Sequence, residues 1–116
     1  MKTAAMQTKI HSICTKTLAL ENLQYEGTGG VSRNNRKLGF VPAFLDTDSG
    51  YVYQSRYSNG EPAPVHLLFG LPGQLFKKGG PQRQQRPVKK SVISGFLLEE
   101  NFYTRGQAAE ILKHIN

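Results

Sequence analysis

Val92-Ile93-Ser94-Gly95-Phe96-Leu97-Leu98-Glu99-Glu100-Asn101-Phe102-Tyr103-Thr104-Arg105-Gly106-Gln107-Ala108 is the stretch that decides the fold class. Its first seven residues are apolar and β-branched or aromatic enough to read as a strand. Glu99-Glu100-Asn101 reads as a tight reversal, and Phe102-Tyr103 begins the return. The period then changes. Thr104-Arg105-Gly106-Gln107 matches a capping box, in which the Thr104 hydroxyl accepts from the Gln107 amide and the Gln107 side chain reaches back. Ala108, Ile111, Leu112 and Ile115 follow at helical spacing on one face, so a helix is predicted over 105–115. A hairpin feeding an amphipathic helix points to α+β.

Working outward, Phe40-Val41-Pro42-Ala43-Phe44-Leu45 is apolar on both faces and reads as a strand. Pro42 assigns it to a sheet edge or a bulge. Asp46 to Gly50 forms a turn, and Tyr51 to Tyr57 alternates strictly as a partner strand ending at Asn59-Gly60. Tyr51, Tyr53 and Tyr57 share one face of it. A chain with no Trp and six Phe needs those rings in its interior, so the face is expected to pack on the core with hydroxyls at the rim. Base stacking is the competing use. Val65 to Phe69 is too short to separate strand from helical turn. Near the N-terminus, Ile10 to Cys14 reads as a strand and Thr17 to Leu23 as a short helix. The predicted architecture is a small, mostly antiparallel sheet of four to five strands in a single domain over 1–116, with the C-terminal helix on one face. Residues 95–109 resemble the strand–turn–helix endings of small bacterial and phage proteins, which implies a bacterial or mobile-element origin.

Charge is unevenly spread. Lys77, Lys78, Arg83, Arg86, Lys89 and Lys90 put six cations into residues 77–90 with no acid among them. The chain holds fifteen Lys plus Arg against eight Asp plus Glu, so removing this window leaves nine against eight, a balance of +1. A second basic cluster, Arg33, Arg36 and Lys37, lies in the Gly- and Asn-rich stretch 27–38. Both stretches are expected to be exposed flexible loops, 77–90 because Gly79-Gly80-Pro81 and Pro87 break helix and weaken strand. A sequence pI near 9.8 favours anionic partners.

Motifs for chemistry are thin. Asp46-Thr47-Asp48-Ser49-Gly50 imitates the start of a calcium loop, but the sixth and twelfth positions are Tyr51 and Tyr57 rather than Gly and Glu. One cysteine, Cys14, and three scattered histidines show no metal-ligand spacing. Gly27-Thr28-Gly29-Gly30 lacks the Gly-Lys-Ser/Thr of a phosphate-binding loop. His66, between Val65 and Leu67, reads as a partly buried structural residue. No catalytic residue, metal or cofactor is assigned, and the chain makes no positive case for an enzyme. The single cysteine suits a reducing cytoplasm. No apolar run is long enough to span a membrane, and the first ten residues lack a signal-peptide core.

The expected function is a small binding module touching nucleic acid through Lys77, Lys78, Arg83, Arg86, Lys89 and Lys90, aided by Arg33, Arg36 and Lys37. Its mechanism is phosphate neutralisation. The alternative is a small interaction or inhibitor protein, such as a mobile-element product, whose same cations meet an acidic surface of a protein partner like a nucleic-acid enzyme. The cationic window contains no aromatic residue, so single-strand stacking would have to draw on rings elsewhere.

Overall fold

A computed structural model describes residues 12–77 and 87–115. The elements run α1 (Thr15–Gln24), α2 (Ser32–Asn35) with a 3-10 turn (Arg36–Leu38), β1 (Val41–Asp46), β2 (Val52–Gln54), a 3-10 turn (Gly73–Leu75), β3 (Val92–Leu98), β4 (Asn101–Thr104) and α3 (Arg105–Lys113). The four strands form one antiparallel sheet in the order β2-β1-β3-β4, with the C-terminal helix packed on it. This is the α+β architecture expected.

Register sets which side chains share a face. Pro42, Phe44 and Asp46 lie opposite Phe96, Ser94 and Val92, and all six are buried. Two apolar clusters cover this side. Phe44 and Val92 pack with Ile13, Leu18, Leu68, Leu71, Leu75, Phe76 and Val88, while Phe40 and Phe96 pack with Ala108 of α3. Phe40 meets Phe96 and Tyr103 edge-on at 6.2 and 5.8 Å, the geometry that aromatic quadrupoles favour.

The caps explain where the helices begin. Thr104 Oγ1 accepts from the Gln107 amide at 3.1 Å, and Gln107 Oε1 accepts from the Thr104 amide at 2.8 Å, as the sequence predicts. At α1 the third helical residue does the reaching: Thr17 Oγ1 accepts from the Cys14 amide at 2.7 Å. The β3–β4 hairpin turns on two residues, with Glu99 at φ 51° and Glu100 at φ 74°. Both occupy left-handed backbone that Asn-Gly adopts easily and a longer side chain does not.

Three expectations change. Pro42 lies in β1, an interior strand of the sheet rather than an edge. Its carbonyl accepts from the Ser55 amide at 2.9 Å, and the Ser55 carbonyl, lacking a Pro42 N–H, accepts from the Ala63 amide at 3.0 Å. The proline therefore sits where a third segment supplies the missing donor. The tyrosine strand is shorter than expected, with β2 ending at Gln54 and only an isolated bridge pairing Arg56 with Pro62.

Residues 27–38 are folded rather than loose. A Cβ on Gly29 would stand 2.6 Å from Leu112 Cβ, and one on Gly30 2.6 Å from the Tyr25 ring. These glycines serve close approach to α3 and Tyr25 rather than mobility. Asn35 Nδ2 donates to the Gly29 carbonyl at 2.7 Å and fixes the segment further. Ile10 and His11, at the start of the N-terminal strand expectation, lie outside the described residues; Ile13 is buried, and the helix that follows is α1.

Candidate nucleic-acid interface

The cationic window grows from a short stem. Lys77 donates its amide to the Pro87 carbonyl at 2.9 Å, Lys89 donates to the Leu75 carbonyl at 2.8 Å, and Phe76 bridges Val88. Phe76 and Val88 are core residues at 7% and 0% exposure, and the Val88 amide donates to the Ile13 carbonyl at 2.9 Å. Apolar burial thus holds both roots of the window in one place. Lys77 and Lys90 are exposed there, while Lys89 Nζ stands 3.4 Å from Asp46 Oδ2. Lys78, Arg83 and Arg86 lie outside the described residues.

The nearby Ser91 hydroxyl, the hydrogen-bonded Asp48 amide and Lys89 together hold the Asp46 carboxyl below its ordinary pKa against the opposing effect of burial. Asp46 therefore stays anionic and keeps Lys89 in position. Thr47 donates both its amide and its hydroxyl to the Ser91 carbonyl at 2.8 Å. The β1–β2 turn is in this way tied to the chain just before β3.

The second cluster lies at the other end of the sheet. Arg33, Arg36 and Lys37 are exposed on α2 and the turn after it, and Arg36 Nη2 donates to the Pro64 carbonyl at 3.3 Å. Val41, which follows them, pairs with Leu97, whereas Val92, which follows Lys89 and Lys90, pairs with Asp46. Six residues of strand, about 20 Å, separate the two ends at which Lys89 and Lys90 on one side and Arg33, Arg36 and Lys37 on the other are placed. Among the described residues, the structure does not bring these cations into one patch.

Nor do the three tyrosines form one ladder. Tyr53 packs against the core, but Tyr51 is 67% exposed and Tyr57 42% exposed. The expectation of an inward-facing tyrosine face holds for Tyr53 alone.

Sequence reading missed the densest polar site. Arg105, 3% exposed, donates from Nε to Glu21 Oε1 at 3.1 Å and to Ser94 Oγ at 3.0 Å, and from Nη1 to the Gly30 carbonyl at 2.9 Å. Its Nη2 meets His66 Nδ1 at 3.1 Å, and Ser94 Oγ donates to Glu21 Oε1 at 2.5 Å. His66 Nε2 lies 2.7 Å from the Gly95 carbonyl, which only accepts, so the proton sits on Nε2 and Nδ1 accepts from Arg105. Burial and then the Arg105 charge push the His66 pKa down to about 3. The imidazole is neutral, with both nitrogens engaged and its ring edge-on to Phe44 and Phe96. Ser94 has a carboxylate and a guanidinium as partners and no free base. The network is thus suited to joining α1, the Gly30 loop, the His66 segment and β3 to the start of α3.

A groove of about 790 Å³ opens between residues 27–38 and α3, with Lys37, Leu38, Leu112, Lys113 and Ile115 among its lining. Leu38 and Ile115 are 43% and 55% exposed along it. Among the described residues there is no cluster of His, Cys, Asp and Glu fit to hold a metal ion, and no helix long and apolar enough to cross a membrane. No protein-family model matches the chain, and searches of curated proteins and of solved structures return no significant match.

Proposed function

We propose that this protein is a small non-enzymatic module that binds nucleic acid by neutralising phosphates at the 77–90 window. The observation that carries the reading is the stem, which joins the amide of Lys77 to the carbonyl of Pro87 and leaves Lys77 and Lys90 exposed. Lys78, Arg83 and Arg86 belong to the same window of sequence. Local density of positive charge is what counterion release rewards. Arg33, Arg36 and Lys37 contribute to the general field at the far end of the sheet and touch only a ligand long enough to span it.

The test is salt dependence. With six phosphate contacts, the slope of log affinity against log salt is expected near −5 on duplex DNA and near −4 on a single strand. Absence of retention on both DNA and RNA at low salt refutes the reading. A second reading, a protein partner with an acidic and apolar surface, is favoured by the groove, where Lys37 and Lys113 flank exposed Leu38 and Ile115. Under that reading, Leu38→Asp and Ile115→Asp abolish capture of a stoichiometric partner, while substitutions in residues 77–90 do not.

A further inference from the structure

The cationic window holds no aromatic residue, yet the fold places one at the end of the sheet where the window is rooted. Tyr51 and Tyr53 alternate to the same side of the sheet, because Tyr53 lies opposite Phe44 on the core face. Tyr53 packs on the cluster that contains Phe76 and Val88 of the stem, and the Tyr51 ring lies 6.4 Å from the Tyr53 ring at an interplanar angle of 73°. The Tyr51 carbonyl accepts from the Asp46 amide at 3.0 Å, and the Asp46 carboxylate meets Lys89 Nζ at 3.4 Å. One exposed ring and the basic stem therefore occupy the same end of the sheet.

An exposed tyrosine gains little from folding, and 67% of Tyr51 remains open to solvent. A flat π-face at the same end of the sheet as exposed cations suits a ligand that offers flat bases and phosphates together. In a duplex the base faces are already stacked, so this ring adds nothing there. Carboxylates temper the patch: Asp46 is buried and engaged with Lys89, while Asp48 is exposed in the same turn.

We infer that the ligand class is single-stranded nucleic acid, with an unpaired base stacking on Tyr51 while Lys77 and Lys90 hold adjacent phosphates. The inference rests on the nucleic-acid reading above and adds the strandedness of the ligand.

Fluorescence anisotropy on the full chain tests it, with labelled dT12, rU12, a 12-base-pair duplex and a 12-residue abasic strand as probes. The wild type is expected to bind the two base-bearing strands more tightly than the duplex. Tyr51→Ala is expected to weaken them roughly 5- to 150-fold, the worth of one base–aromatic stack, while leaving the abasic strand and the salt slope unchanged. Tyr51→Phe keeps the ring and the affinity. Lys77→Gln with Lys90→Gln lowers strand and duplex binding alike and flattens the single-strand slope by about 1.4. Thermal melts establish that each variant is folded. Wild-type binding that Tyr51→Ala leaves intact overturns the stacking inference and leaves phosphate neutralisation standing. Failure of every probe to bind at low salt overturns both.

Discussion

His66 makes the stability of this protein fall with acid in a window where few other groups act. Its folded pKa is about 3 against an ordinary value of 6.5, because burial and the Arg105 guanidinium disfavour the imidazolium. Between those values the unfolded chain binds a proton that the folded chain refuses, so stability drops as pH falls. A difference of 3.5 pH units at about 1.36 kcal/mol each amounts to about 5 kcal/mol, all present above pH 6.5 and fully lost below pH 3. Asp46, whose pKa is also lowered, adds loss in the same direction, but only below its ordinary value of 3.8. The interval from pH 6.5 to 4.5 therefore isolates the histidine. Urea unfolding followed by circular dichroism is expected to show stability falling by about 2.5 kcal/mol across those two pH units. His66→Gln, whose amide can donate to the Gly95 carbonyl and accept from Arg105, is expected to flatten the slope. The His66 ring resonance should not titrate between pH 8 and pH 5 while the protein is folded. A wild-type stability that stays level from pH 6.5 to 4.5, or a His66 resonance that titrates near 6.5, refutes the reasoning.

Arg105→Met strands the Gly30 carbonyl and His66 Nδ1 and leaves Glu21 without its cation; a loss of about 3 kcal/mol in urea unfolding is expected, at the low end for a broken buried pair because Glu21 is partly solvated. Replacing Glu99-Glu100 by Asn-Gly removes two long side chains from left-handed backbone, so the melting temperature should rise by roughly 4–8 °C for each kcal/mol recovered.

Local signals were legible wherever one segment carried its own explanation. The span of β3, the reversal at Glu99-Glu100 and the Thr104–Gln107 cap all follow from patterns within a few residues. Pro42 misled because an edge position is the simple way to avoid a missing donor; the structure uses Ala63, twenty-one residues away, to satisfy Ser55 instead. Gly29 and Gly30 misled because glycine permits looseness and close packing equally, and only the position of α3 decides between them. The buried network did leave a trace in the sequence. Arg105 is the first residue of α3, where the helix dipole repels a cation, and a residue placed against that preference points to a partner elsewhere. Which partner was not legible, since Glu21 is eighty-four residues away.

The proposed interface poses the same problem of long-range registration. Its cations and its tyrosines were both visible in the sequence, but not which ring stays exposed or at which end of the sheet it lies, because Tyr51 and Lys89 are brought to the same end only through strand pairing, each bonded to Asp46. Asp46 opposite Val92 and Leu45 opposite Val52 bring the turn beside the stem. A slip of one residue in either pairing would reverse the faces, turning Phe44 outward or removing Asp46 from Lys89. Two features far from the cations oppose such a slip. Ser55 can bond both Pro42 and Ala63 only in this alignment, and Gly95 is the β3 residue that leaves room for Phe102 and Tyr103 of β4; a Cβ there would stand 2.4 Å from the Phe102 ring. Core packing thereby sets the end of the sheet at which ring and charges lie, so the proposed binding and the stability are expected to separate at Tyr51 and to fall together at Gly95.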